Sequence, residues 1–344
     1  TMIYGKDNRE LMEGVRRHPD FNDFVVPISA LDEVRDATFF LRNDGLLAFS
    51  EGYCHPKGKL VANIIYIPDP AGTKNFFGAR YGSVIKQYLK EGEAWVPFKR
   101  QLEIYRKIDP STQEGKPIFA ENKCLFDLGD FVGFVPPRRS LAIARKRSAE
   151  IDRSIRNVGA LMGIDPEMIG CTGSMAFGNL ASAHDFDLVF HGTLAELRRA
   201  VARIYEIVKD PKRAVFEMGM HWAIRFYDDA GDMICPFFSY TDPTEIPLPS
   251  FEMDPLERGI EAVGTVANDD HTGFMPTWLP LADARIGARA LGPDAVLVIY
   301  HGGKRGEYRT GDRVKARGTL VRVTSPRGRY EAVLVTDMDD TEKL

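Results

Sequence analysis

Gly170-Cys171-Thr172-Gly173-Ser174-Met175-Ala176-Phe177-Gly178, then after residues 179–184 Asp185-Phe186-Asp187-Leu188, is the stretch on which the fold turns. The short apolar segment 168–171 reads as a buried strand running into Thr172-Gly173-Ser174. A Gly-Ser turn leaving a strand brings backbone N–H groups close to an anion, and if a helix follows, its N-terminal dipole adds to the attraction for phosphate. Residues 185–190 read as a second strand. Side chains alternate along a strand, so Asp185 and Asp187 share one face while Phe186 and Leu188 enter the core. Two carboxylates aimed together suit a hard cation such as Mg²⁺.

Working outward, Pro136-Pro137 interrupts the chain, and from Ser140 the apolar residues Leu141, Ala144, Ile151, Ile155, Val158 and Met162 recur at helical spacing. The spacing predicts one long amphipathic helix ending near Gly163, with its arginines on a solvated face. A further helix is expected over 194–208, with Thr193 as its cap and Glu196 completing a capping box. Strands over 221–227 and 233–240 flank the turn at 228–232 as a hairpin.

With these elements in place, the segment resembles the nucleotidyltransferase superfamily that includes DNA polymerase beta and the small antitoxin-like adenylyltransferases. The pattern is Gly-Ser, a spacer, then Asp-x-Asp between apolar residues. Gly173-Ser174 and Asp185-Phe186-Asp187 follow the small-enzyme form, including its second glycine at Gly178, and His184 stands where that form has serine. The resemblance covers about residues 166–240, and the three-part layout is similar to predicted nucleotidyltransferases of archaea and bacteria. It implies that Asp185 and Asp187 are catalytic and bind metal, Mg²⁺ or Mn²⁺. It also implies that Gly173, Ser174, Gly178 and His184 contact a nucleoside triphosphate substrate. His184 gains weight from its adjacency to Asp185, on the rim of the site. The family's third carboxylate comes from a neighbouring strand, but in Met233-Ile234-Cys235-Pro236-Phe237-Phe238 that place holds Cys235 or Pro236. Glu217 and Asp232 are the alternative acids, and His221 reads as a structural histidine at a strand start.

The expected fold class is α+β: a central nucleotidyltransferase-type mixed sheet with helices over 138–242, an N-terminal α+β domain over 1–135, a linker over 243–260, and a small OB-like β-barrel over 261–344. In the N-terminal part, residues 37–41 and 46–53 around Asn43-Asp44-Gly45 give a hairpin signature, and 60–67 a third strand. Lys74-Asn75-Phe76-Phe77-Gly78-Ala79-Arg80-Tyr81 mixes basic and aromatic residues. It is read as a loop anchored by its aromatics in preference to a nucleic-acid surface. In the C-terminal part, Val314, Ala316, Leu320, Val321 and Val323 are expected core. Arg313, Lys315, Arg317 and Arg322 remain outside, with Lys304, Arg305, Arg309, Arg327 and Arg329 nearby. They read first as solvated strand faces of a domain packed on the central one, and second as a phosphate-binding surface on which Tyr300, Tyr308 and Tyr330 are available to stack bases.

A formal charge of -4 gives no global attraction for nucleic acid or membrane, so any basic surface is local. The four cysteines, Cys54, Cys124, Cys171 and Cys235, stand far apart with no C-x-x-C pair, which argues against a zinc site and against a small disulfide scaffold. No apolar run approaches the roughly 20 residues of a membrane helix, and the expected location is cytoplasmic. The leading functional expectation is a metal-dependent enzyme moving a nucleoside monophosphate from an NTP to an acceptor. The alternative is a regulatory protein that binds nucleotide or nucleic acid and keeps the fold without transfer, with the C-terminal barrel as its binding module. A nucleophilic hydrolase is disfavoured because Ser174 has no motif-linked histidine and acid.

Overall fold

The computed structural model describes residues 8–180 and 185–344. Its architecture is mixed α+β, with an eight-, a five- and a seven-stranded sheet among the described residues. No helix among them is long and apolar enough to cross a membrane.

The N-terminal sheet is built on the expected hairpin, β1 (Phe39–Arg42) and β2 (Leu47–Ser50), with Gly45 supplying the positive φ that its turn requires. Strand β3 (Lys59–Pro68) pairs with β2, and the chain then folds β4 (Lys74–Phe76) and β5 (Ala79–Ser83) into a second hairpin. The Lys74 to Tyr81 stretch is therefore a hairpin where a loop was expected. Phe76, Phe77 and Tyr81 are buried and anchor it. Every residue of β1 and β2 is buried, because the sheet is covered on both faces. Phe40 and Ala48 join one core, whereas Phe39, Leu41 and Phe49 join another that includes Phe177 and Val189 of the central unit.

The central unit opens with two helices where one was expected, α1 (Pro137–Arg147) and α2 (Ala149–Met162). Ser148 is the reason for the break. It takes an extended conformation, and its hydroxyl accepts from the Ile151 N–H, starting a fresh helix. Gly163, in the left-handed region, ends α2. The five-stranded sheet contains β6 (Ile169–Cys171), β7 (Asp185–Gly192), β8 (Ala214–Glu217), β9 (Met220–Tyr227) and β10 (Met233–Tyr240), in the order β6-β7-β10-β9-β8. Only the β7–β10 pair is parallel. Helix α3 (Leu194–Ile207) follows β7 and starts from the expected Thr193–Glu196 capping box.

Strands β11 (Glu252–Val266), β12 (Thr277–Ile286), β13 (Val296–Ile299), β14 (Arg313–Ser325) and β15 (Gly328–Val335) are the longer strands of the seven-stranded C-terminal sheet. Its pairings run β11-β12-β13-β15-β14, and β14 pairs back onto β11. The expected linker over 243–260 thus contains the first half of β11. Pro255 is accommodated there at a register shift, where the ladder is already interrupted. Nor does this sheet stand apart. Leu320 points into its own core, but neighbouring Val321 and Val323 join a core shared with Val61, Phe119 and Ala120 of the N-terminal unit.

Candidate metal and nucleotide cleft

On β7 the alternation holds. Asp185 is exposed and Asp187 half-buried, while Phe186 and Leu188 lie in the core. Parallel pairing sets Asp187 opposite Cys235 of β10, so the two side chains leave the sheet on the same side. The Cys235 thiol donates to Asp185 Oδ1 at 3.9 Å, and one ligand atom from each of Asp185, Asp187 and Cys235 lies within 4.8 Å of the others. Cys235, not Pro236, thus occupies the place facing the carboxylate pair. Glu217 lines the same cleft but is held by Arg225 at 2.7 Å, and Asp232 is buried in the β9–β10 turn. His221 is exposed and meets the Phe216 ring edge-on, outside the cleft.

The Gly173-Ser174 loop is fixed to this pair. The Thr172 N–H donates to the Asp187 carbonyl at 2.8 Å, and Gly173 takes a φ of 63°. A Cβ on Gly173 would stand 2.1 Å from Asp187 Oδ2, so only glycine lets the loop approach so closely. Beyond it the chain makes a single 3₁₀ turn, Gly173–Phe177, leaving loop N–H groups but no extended dipole. Gly178 ends that turn with a φ of 81° and lies against the Phe24 ring, outside the cleft lining. His184 falls outside the described residues.

The loop and the pair form one wall of a cleft of about 740 Å³. The facing wall comes from the N-terminal unit: Tyr66, Lys74, Lys86 and Trp95. Sequence reading missed these residues, although Lys74 belongs to the basic-aromatic stretch it singled out. The aromatics of that stretch turn into the core and its lysine into the cleft. On a third side Arg225 lies 3.5 Å from the centre of the Trp222 ring. Three buried polar atoms that lack a hydrogen-bond partner among the described residues, Thr172 Oγ1, Trp95 Nε1 and Arg225 Nε, belong to residues lining this cleft. Each such atom costs about 1–3 kcal/mol until a polar group meets it.

Burial, and next the charge of Asp185, push the Asp187 carboxyl up to about 6, with Arg225 opposing. Asp185 is raised by burial and by Glu217, against Arg225 and Lys86. Burial pushes the Cys235 thiol well up. A cation between the carboxylates would relieve their repulsion, and the cluster of Asp185, Asp187 and Cys235 could hold one.

No family model, curated protein or solved structure matches the chain. What the cleft does is therefore read from its own chemistry.

On the C-terminal unit, the side chains weighed as a nucleic-acid surface are placed otherwise. Tyr300 and Tyr308 are fully buried and present no ring for stacking, and Tyr330 is engaged with Trp278 Nε1 at 3.2 Å. Of its basic residues, Arg317 pairs with Glu261 and Lys315 with Glu342, while Arg313 and Arg322 are exposed. Arg305 is buried, donating to the Pro236 carbonyl under Phe237.

Proposed function

We propose that the chain is a metal-dependent nucleotidyltransferase, moving a nucleoside monophosphate from an NTP to an acceptor hydroxyl. In this reading the central sheet is of nucleotidyltransferase type and the C-terminal ring of strands is an OB-like barrel. One observation carries it: a glycine loop held against Asp187, beside a same-face aspartate pair, in a cleft whose opposite wall is cationic and aromatic. Loop N–H groups, the Ser174 hydroxyl and the lysines Lys74 and Lys86 bind the triphosphate, and Trp95 and Trp222 offer faces to the base. A divalent cation held by Asp185 and Asp187 would neutralise charge on the triphosphate and on departing pyrophosphate. The acceptor oxygen bonds to the α-phosphorus, the α–β bridging bond breaks, and the acceptor's proton is released. Arg225 offsets negative charge at the aspartate end of the cleft.

A second reading follows from Cys235: with a thiol where the family has its third acid, the cleft binds metal-nucleotide but transfers nothing. Pyrophosphate release from an NTP panel with Mg²⁺ or Mn²⁺, beside calorimetric binding of the same nucleotides, separates the two. Release supports transfer, binding without release supports the second reading, and neither would defeat both.

A further inference from the structure

Mg²⁺ takes near-octahedral oxygen coordination and has little use for sulfur. Yet in this cleft the third ligand-bearing side chain grouped with both aspartates is a thiol. We propose that Asp185, Asp187 and Cys235 form a three-donor centre for a borderline-soft divalent cation of the zinc or cobalt(II) kind, held by the protein in addition to the cation that a nucleoside triphosphate carries. This rests on the reading above in placing the centre where the triphosphate binds.

Three observations support it independently of the motif. The donor atoms come from two adjacent parallel strands in fixed register, Asp187 beside Cys235, so the set is preformed. Gly173 leaves Asp187 Oδ2 room that a Cβ would fill. Thr172, 3 % exposed, keeps a hydroxyl without a partner among the described residues on the loop that lines the same cleft, as a group supporting a bound ion or its water would. Two carboxylates and a thiolate make three protein ligands, the number that leaves a tetrahedral cation one open position. That position is the one a phosphate oxygen would take. On binding, the metal–sulfur bond forms as the thiol proton passes to solvent, with no change of oxidation state. The charge balance favours the cation. Arg225, whose charge acts on both aspartates, is drawn aside to Glu217 and the Trp222 ring.

Cobalt(II) is the probe, titrated into the full chain without nucleotide and followed by absorption. A cobalt–thiolate charge-transfer band should appear at one equivalent, together with the intense visible bands of a four-coordinate ion. Cys235→Ser should abolish the charge-transfer band, and Asp187→Asn should weaken binding at least tenfold. Cys171→Ser, one strand away and fully buried, should change neither. Absence of the band in the parent protein, or its survival in Cys235→Ser, overturns the proposal. If Cys235→Ser does not fold, Cys235→Asp decides: it should bind cobalt without the band and gain Mg²⁺ binding in the absence of nucleotide. Unchanged Mg²⁺ affinity there counts against the proposal. Mg²⁺–ATP binding measured alongside keeps the two ideas apart. Its absence from the parent protein defeats the nucleotide reading, whereas the cobalt band tests the three-donor centre alone.

Discussion

Gly173→Ala separates a site glycine from a merely conformational one, with Gly178→Ala as its partner. Both residues have left-handed φ, 63° and 81°. An L side chain there costs about 1–2 kcal/mol in either place. The surroundings differ. At Gly178 the nearest atom to a new Cβ is Phe24 Cζ at 3.2 Å, a ring edge that can shift a few tenths of an ångström. At Gly173 the new Cβ would meet Asp187 Oδ2 at 2.1 Å and Cγ at 3.0 Å, so the carboxylate must rotate away or β7 must move. Overpacking of that kind adds about 1–3 kcal/mol. Denaturant titration should therefore show a loss of about 1–2 kcal/mol for Gly178→Ala and about 2–5 kcal/mol for Gly173→Ala. The sharper contrast is in binding. Displacing the groups that orient a metal ligand costs about 10–100-fold in affinity, so calorimetry with Mg²⁺–ATP should show that loss for Gly173→Ala and little change for Gly178→Ala. Parent-like binding by Gly173→Ala, or equal losses in both variants, would refute the reasoning.

Lys86→Glu, on the facing wall, should weaken nucleotide binding by about tenfold or more, the value of one charge-assisted contact, while leaving its Mg²⁺ dependence intact. Binding isotherms at two salt concentrations check this. The Asp187 carboxyl titrates near 6, above its ordinary 3.8, so the folded protein holds that proton more tightly than the unfolded chain does. Its stabilising effect is full below about pH 4 and lost as pH rises through about 6. Metal-free Asp187→Asn should therefore lose less stability than the parent across that window, as thermal melts at several pH values will show. Tyr300→Phe removes a buried hydroxyl that has no hydrogen-bond partner among the described residues and should raise stability by up to about 1–3 kcal/mol, seen as a higher denaturation midpoint; a lower midpoint would contradict the account.

The parts of this molecule that were legible in the sequence are those set by local chemistry. Asp185-Phe186-Asp187-Leu188 declares its two faces within four residues, Thr193 and Glu196 cap a helix three residues apart, and Asn43-Asp44-Gly45 turns a hairpin. The break at Ser148 was hidden because the apolar spacing runs straight through it, and only the hydroxyl's bond to Ile151 N–H reveals it. The first half of β11 was hidden by its exposure. Glu252, Asp254, Glu257 and Arg258 face solvent beside Pro255, and partners on β14, not apolar alternation, make it a strand. Tyr300 and Tyr308 looked available because nothing local tells a stacking tyrosine from a core one. The facing wall of the cleft was least accessible. Tyr66, Lys86 and Trp95 reach Asp185 only because Phe39 and Phe49 seat the N-terminal sheet on Phe177 and Phe237 of the central unit.

The most direct test of the central claim is calorimetric titration of Mg²⁺–nucleoside triphosphates into the parent chain and into Asp185→Asn combined with Asp187→Asn. Both side chains are isosteric with their replacements, and neither aspartate lies in the core, so the variant should fold with the parent's circular dichroism. The account predicts Mg²⁺-dependent binding of at least one nucleotide by the parent and none by the folded double variant. Undiminished Mg²⁺-dependent binding in that variant would contradict it.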